Sequence, residues 1–166
     1  TYAIVSQPAH GTLSGTAPNV TYTPAADYSG PDSFSFTVND GTIDSAVATI
    51  SITVNSVNDV PAAVAQSTTT AEDTATAISL SGTDIDGDIL TYVIVTQPAN
   101  GTLSGTAPDV TYTPAADYNG PASFSFTVND GTINSAVATI SITVNSVNEV
   151  PVAIAKSVAT DEDAAK

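Results

Sequence analysis

The chain has 166 residues, of which 17 are Asp or Glu and 2 are Lys or Arg, a formal net charge of -15 with only 11% of residues charged. So acidic a surface excludes nucleic acid and anionic lipid as partners, since both require clustered Lys and Arg to displace counterions, and it makes cations the natural complement. With no Cys there is no disulfide framework and no thiolate nucleophile or metal ligand, and no apolar run approaches the roughly 20 residues that would span a bilayer.

The opening residues, "TYAIVSQPAH", lack the basic start and apolar core of a signal peptide. The export address of a secreted protein would therefore lie outside this stretch. Residues 1–60 return as residues 91–150, differing only at positions 3, 6, 10, 19, 29, 32, 44 and 59 and matching at 52 of 60. The same offset of 90 carries "VPAAVAQSTTTAED" (60–73) onto "VPVAIAKSVATDED" (150–163). A tandem array is expected: residues 1–57 as the C-terminal part of one repeat, 58–147 as a complete repeat and 148–166 as the N-terminal start of a third.

Along the complete repeat, a first strand ends at the acidic pair Glu72 and Asp73, and "TAISLS" (76–81) and "ILTYVIVT" (89–96) follow on either side of "GTDIDGD" (82–88). Next come "DVTYT" (109–113), "SFSFTVND" (123–130) and "AVATISITV" (136–144), punctuated by "QPANG", "ADYNGP" and "VNDGT", where Pro, Gly, Asn and Asp supply turn geometry. The pattern has period two. Phe124, Phe126 and Val128 share one face and Ser123, Ser125 and Thr127 the other, while Ala138, Ile140, Ile142 and Val144 form the apolar face of the last strand. No segment has a period of 3.6.

About seven short strands in a repeat of this length predict an all-β fold, an immunoglobulin-like Greek-key β-sandwich of two antiparallel sheets. Without Trp or Met, the bulk of the core falls to Tyr92, Tyr112, Tyr118, Phe124 and Phe126. A repeat this small buries only about 60 to 65% of its unfolded surface, so a further stabiliser is expected.

Asp84, Asp86 and Asp88 are spaced two apart, and Gly87 permits the bend that would let them converge. Carboxylates held about 5 Å apart repel by roughly 1 to 3 kcal/mol per pair at effective dielectric constants of 20 to 80. A cation turns that repulsion into attraction. Several hard oxygen ligands without His or Cys favour Ca2+ over zinc or copper. An EF-hand does not fit, because counting from Asp84 puts Ile89 sixth and Val95 twelfth, where Gly and Glu belong. The plain alternative is an exposed polar loop.

Other acidic positions gather at the repeat boundaries: Asn58 and Asp59 before Pro61, Glu72 and Asp73 after the first strand, and Asp27 and Asp117 each before a Tyr. With "NDVP", "EDT", "TDIDGDILTY", "QPANGTLSG" and "YTPAADYNGPASFSFTVNDG" in this order, the whole chain resembles the cadherin-like repeats of bacterial surface adhesins, which come in arrays of units of about 95 residues. The resemblance implies calcium at the junctions between units. Carried over residue by residue, one junction would use Asn58, Asp59 and Asp27 with Asp84 and Asp86, and Asp88 as a further candidate. A second would use Asn148, Glu149, Glu72 and Asp117. Two departures stand out: the linker is shorter than in animal cadherins, and Glu149 replaces Asp59 in the second copy.

Asp40 and Asp130 lie in "NDGT", chiefly a hairpin-turn signal. His10 is the only His, and its counterpart is Asn100, which excludes a role needed in every repeat. The glycan-acceptor patterns at Asn19 and Asn100 are not kept in the other copy, and Lys156 and Lys166 lie outside the complete repeat. No Ser–His, Cys–His, zinc or phosphate-binding constellation is present, and Asp84 with Asp86 alone makes a poor acid–base pair without Arg, Trp or His nearby. The expectation is a non-enzymatic, calcium-stiffened spacer of a cell-surface adhesin, outside the cell. Its partners would be neighbouring repeats, and the alternatives are glycan binding, homotypic contact or polymerisation by strand exchange.

Overall fold

The computed structural model describes residues 1–162; residues 163–166, including Lys166, lie outside the described residues. The described chain is all β. Its first repeat contains β1 (Tyr2–Ser6), β2 (Gly11–Thr16), β3 (Asn19–Pro24), β4 (Gly30–Val38) and β5 (Ala48–Val54). The second contains β6 (Ala62–Ala63), β7 (Gln66–Ala71), β8 (Thr76–Ser79), β9 (Gly82–Thr83), β10 (Thr91–Thr96), β11 (Gly101–Thr106), β12 (Asp109–Pro114), β13 (Gly120–Asn129) and β14 (Ala138–Asn145).

The second repeat packs a sheet of order β10-β13-β14-β7 against a sheet of order β11-β12-β8, with β6 and β9 as a short separate pair. The alternation in the sequence decides which side chains meet between the sheets. Along β14 every second residue is buried, and Ile140, Ile142 and Val144 are exposed by 3% or less. In β13 Phe124, Phe126 and Val128 face inward, with Phe124 directly opposite Ile140 and Phe126 opposite Ala138. Tyr112, fully buried, enters from the facing sheet and donates from its hydroxyl to the Asn100 carbonyl at 2.6 Å. Gly101 is required beside it, because a Cβ there would lie 2.5 Å from the Tyr112 ring and 2.5 Å from the Thr113 carbonyl oxygen. Ile78 and Leu80 close the core, and Tyr92 and Tyr118 pack partly buried at its margins.

The first predicted strand divides in two. β6 pairs antiparallel with β9, and after Ala63 the chain crosses to the other sheet, where β7 runs parallel to β14. β10 begins at Thr91, later than the apolar pattern suggests, because the loop before it leaves Ile89 89% exposed.

The first repeat repeats these pairings with fewer strands. Its sheets are β1-β4-β5 and β2-β3, and no described residue takes the place of β7 or β8.

Candidate functional site: two acidic junctions

Residues 55–61 leave β5 and enter β6, and two backbone and side-chain contacts tie them to the second repeat. Asn58 donates from Nδ2 to Asp130 Oδ2 at 2.9 Å and to the Asp59 carbonyl at 3.1 Å. The Asp59 amide donates to Asp86 Oδ2 at 2.7 Å.

The loop after β9 is folded on Asp84. Asp84 Oδ1 accepts the amides of Asp86 and Asp88 at 2.9 and 3.2 Å, and Gly87 takes φ +80, where open space around it shows that conformation rather than crowding requires glycine. The carboxylates of Asp84, Asp86 and Asp88 consequently come within 4.8 Å of one another. Asp84 Oδ2 is buried and has no hydrogen-bond partner. Buried polar atoms are nearly always satisfied, so an orphaned carboxylate oxygen points to something that completes it.

Asp27 comes to the same cleft from the first repeat. It lines one lobe with Asp59 and Asp86, and a second with Asn58, Asp86 and Asp88. The structure thus brings Asp27, Asn58, Asp59, Asp84, Asp86 and Asp88 around one cleft.

Asp130 was legible only as a turn residue. Its Oδ1 does hold the turn, accepting the amides of Thr132 and Ile133 at 2.6 and 2.7 Å. Its Oδ2 reaches the linker, and the Asn58 hydrogen bond, with those amides, lowers the carboxyl pKa below its ordinary value against the opposing effect of burial.

At the other end of the second repeat, Asp73, Asp117 and Glu149 place carboxylate oxygens within 4.8 Å of one another. Asp73 and Asp117 both have positive φ, 59° and 58°, a conformation Asp tolerates better than most residues. The Asp117 amide donates to Asp73 Oδ1 at 3.2 Å. Glu72, only 8% exposed, braces the linker: Oε1 accepts the Val147 amide at 2.6 Å and Oε2 accepts Asn119 Nδ2 at 3.3 Å. Asn148 is exposed beside this group. Asp73, like Asp130, was absent from the expected site; its signal was the adjacent acid in "ED", which recurs at 162–163.

The family named Bacterial Ig domain matches residues 1–53 and 58–143. The chain belongs to the bacterial Ig domain family. This bacterial Ig chain is 36% identical over 97 residues to integrin beta-like protein E of Dictyostelium discoideum, covering 48% of the chain and 5% of that protein. It therefore spans a small fraction of that relative's length. Among solved structures, the first two cadherin domains of human mucin-like protocadherin superpose with a TM-score of 0.57 at 18% identity, covering 89% of this chain and 84% of that one. Extracellular cadherin domains 3–6 of protocadherin gamma B2 give 0.55 at 15% identity, covering 87% of this chain and 40% of that one. These likenesses show the fold: tandem Ig- and cadherin-like sandwiches. No helix among the described residues is long and apolar enough to cross a membrane.

Proposed function

We propose that the chain is a spacer or stalk segment of a repetitive extracellular protein, in which calcium held where repeats meet stiffens the array. Residues 1–57, 58–147 and 148–166 are then parts of three successive repeats. The observation that carries this reading is the buried, unpartnered Asp84 Oδ2 within a trio of converging carboxylates at a linker.

The donor set suits a hard cation. Every candidate group offers oxygen, and the cleft contains no His nitrogen or Cys sulfur, which favours calcium over zinc or copper. The first junction has Asp27 from the repeat below the linker and Asp84, Asp86, Asp88 and Asp130 from the repeat above it; the second has Glu72, Asp73 and Asp117 from the repeat below it. A full junction combines both sets with Asn58 and Asp59, or with Asn148 and Glu149. Bound calcium supplies the positive charge that cancels repulsion among these groups. The chain's part is to orient the oxygens: Asp84 folds its own loop, Asp86 grips the linker amide of Asp59, and Asp130 grips Asn58.

Thermal unfolding and small-angle scattering, with calcium and with chelator, test this reading. At about 10 mM calcium, an affinity of 10⁻⁴ to 10⁻³ M corresponds to roughly 1.4 to 2.7 kcal/mol. The midpoint of the second repeat should rise by on the order of 5 to 15 °C, and the spread of molecular dimensions should narrow. Asp84→Asn with Asp86→Asn should remove both responses. A native chain whose midpoint and dimensions ignore calcium would sink the proposal.

A further inference from the structure

The linker has an Asn at the same place in both junctions, Asn58 and Asn148, while the next position accepts either acid, Asp59 or Glu149. An Asp at 58 would supply one more anionic oxygen to the cleft, so charge alone does not account for the amide. The hydrogen bonds around it do. The Nδ2 group has two hydrogens, and both are engaged: one with Asp130 Oδ2 at 2.9 Å and one with the Asp59 carbonyl at 3.1 Å. An ionised carboxylate and a carbonyl can only accept, so only the nitrogen end of the amide can face them. Oδ1 is left over, reached by no donor among the described residues. Asn58 lines the lobe of the cleft that also contains Asp27, Asp86 and Asp88.

Asp130 makes this contact with an oxygen that its own turn does not need. In the first repeat Asp40 holds the equivalent turn through Oδ1, on the amides of Thr42 and Ile43 at 2.9 and 3.1 Å. Asp130 Oδ1 holds Thr132 and Ile133 in the same way, and Oδ2 crosses to the linker, 72 positions away in sequence. The residue is only 9% exposed, a setting in which a charge-assisted hydrogen bond is strong and a missing partner is costly. Two further ties hold the same stretch: the Asp59 amide on Asp86 Oδ2 at 2.7 Å and the pairing of β6 with β9. Each tie runs from N–H to oxygen, and none requires a cation.

Resting on the calcium reading of this junction, we infer that Asp130 is a positioning residue that docks Asn58 by its nitrogen and leaves Oδ1 as the end available to the acidic cleft. Groups that orient a metal ligand without touching the metal set affinity strongly, because a ligand already held in place loses little freedom on binding. An Asp at 58 would face the Asp130 carboxylate with no hydrogen between them, and the linker would be pushed away. That is why one amide stands among the carboxylates.

Two substitutions and their combination, made in the 166-residue chain, separate position from charge. The measurements are amide hydrogen exchange at Asp59 in chelator and calorimetric titration with calcium chloride. Asn58→Asp should speed exchange at Asp59 by about 10-fold or more, since repulsion replaces a hydrogen bond to a charged group. Adding Asp130→Asn should bring exchange back to within about 3-fold of the native chain, because the amide introduced at 130 keeps an oxygen for the turn and offers its nitrogen to the new carboxylate. The combined variant should bind calcium about 10-fold more tightly than Asn58→Asp, although it has one carboxylate fewer. Asp130→Asn alone should turn the Asn58 amide over and weaken calcium binding by about 10-fold, with the unfolding midpoint of the second repeat in chelator within about 3 °C of native. Unchanged exchange in Asn58→Asp, no recovery in the combined variant, tightest binding in Asn58→Asp, or native affinity in Asp130→Asn would each overturn the positioning role. A native chain that takes up no calcium while the exchange cycle behaves as stated would support the docking of Asn58 by Asp130 and overturn only the calcium reading.

Discussion

Ile50 and Ile140 occupy the same place in two stretches that match at 52 of 60 positions, and their surroundings differ completely. Ile140 is sealed between β13, β7 and the facing sheet, at 0% exposure, whereas Ile50 is 42% exposed at the end of a three-stranded sheet. Tyr2 is likewise half exposed where its counterpart Tyr92 is partly buried against the core. Burial is thus decided by what lies across from a residue: among the described residues, β7 and β8 flank this face in the second repeat, and no counterpart of them is present for the first.

The largest expected contrast uses one substitution in both places. Ile140→Ala should destabilise the second repeat by about 2 to 5 kcal/mol, because the lost contacts leave a cavity. Ile50→Ala should change the first repeat by less than about 1 kcal/mol, since much of its surface already meets water. Equal losses in chemical denaturation would show that β5 is covered in solution and erase the distinction.

A second test concerns a position where the repeats differ in sequence. Asp32, in place of Ala122, is 8% exposed and accepts the amides of Ala9, His10 and Ser33 at 2.9, 3.0 and 2.8 Å and the Tyr22 hydroxyl at 2.9 Å. Burial works to raise its pKa, but these four donors prevail and hold it at about 2. The folded value lies below the ordinary carboxylate value of about 3.9. Its stabilisation is therefore complete above that value and is lost as the pH falls toward 2. Asp32→Ala should lower the first repeat's midpoint at pH 7 and reduce that repeat's acid sensitivity between about pH 4 and 2, leaving the contribution of Asp40 and the second repeat unchanged. Undiminished acid sensitivity in the variant would assign it to groups other than Asp32.

The smallest effect is local to the linker. Asn58→Ala should let the Asp130 carboxyl titrate closer to its ordinary value, measured by carboxyl-carbon NMR, and should speed amide exchange at Asp59. The Asn58 contact favours ionised Asp130, so in the native chain it persists above pH about 4 and weakens as the pH falls. Asp40, whose pKa is lowered by the Ile43 and Thr42 amides without a linker partner, provides the internal reference. An Asp130 titration identical in variant and native chain would deny the clasp.

Much of the inner face was readable beforehand. Phe124, Phe126 and Val128 are buried as their spacing predicts, although Ser125 between them is buried as well, and Ala138 through Val144 alternate buried and exposed, because a pleated strand sends successive side chains to opposite faces. The parallel pairing of β7 with β14 was not readable. "QSTTTA" has no apolar alternation to reveal which sheet it joins, and its position depends on the chain crossing after Ala63. The same holds at the junctions. The convergence of Asp84, Asp86 and Asp88 was visible from their spacing and Gly87, a matter of neighbours in the chain. Asp130 was not, because one carboxylate oxygen accounts for the turn and the other finds a linker residue 72 positions away.

The sequence by itself determined the repeat period, the strand faces and the acidic loops, since all of these depend on neighbouring residues and on the geometry of a single strand. Only the tertiary structure decided that β7 joined β14 in parallel and which carboxylates met across a linker. Those outcomes depend on distant segments arriving in register, which no local pattern of residues encodes.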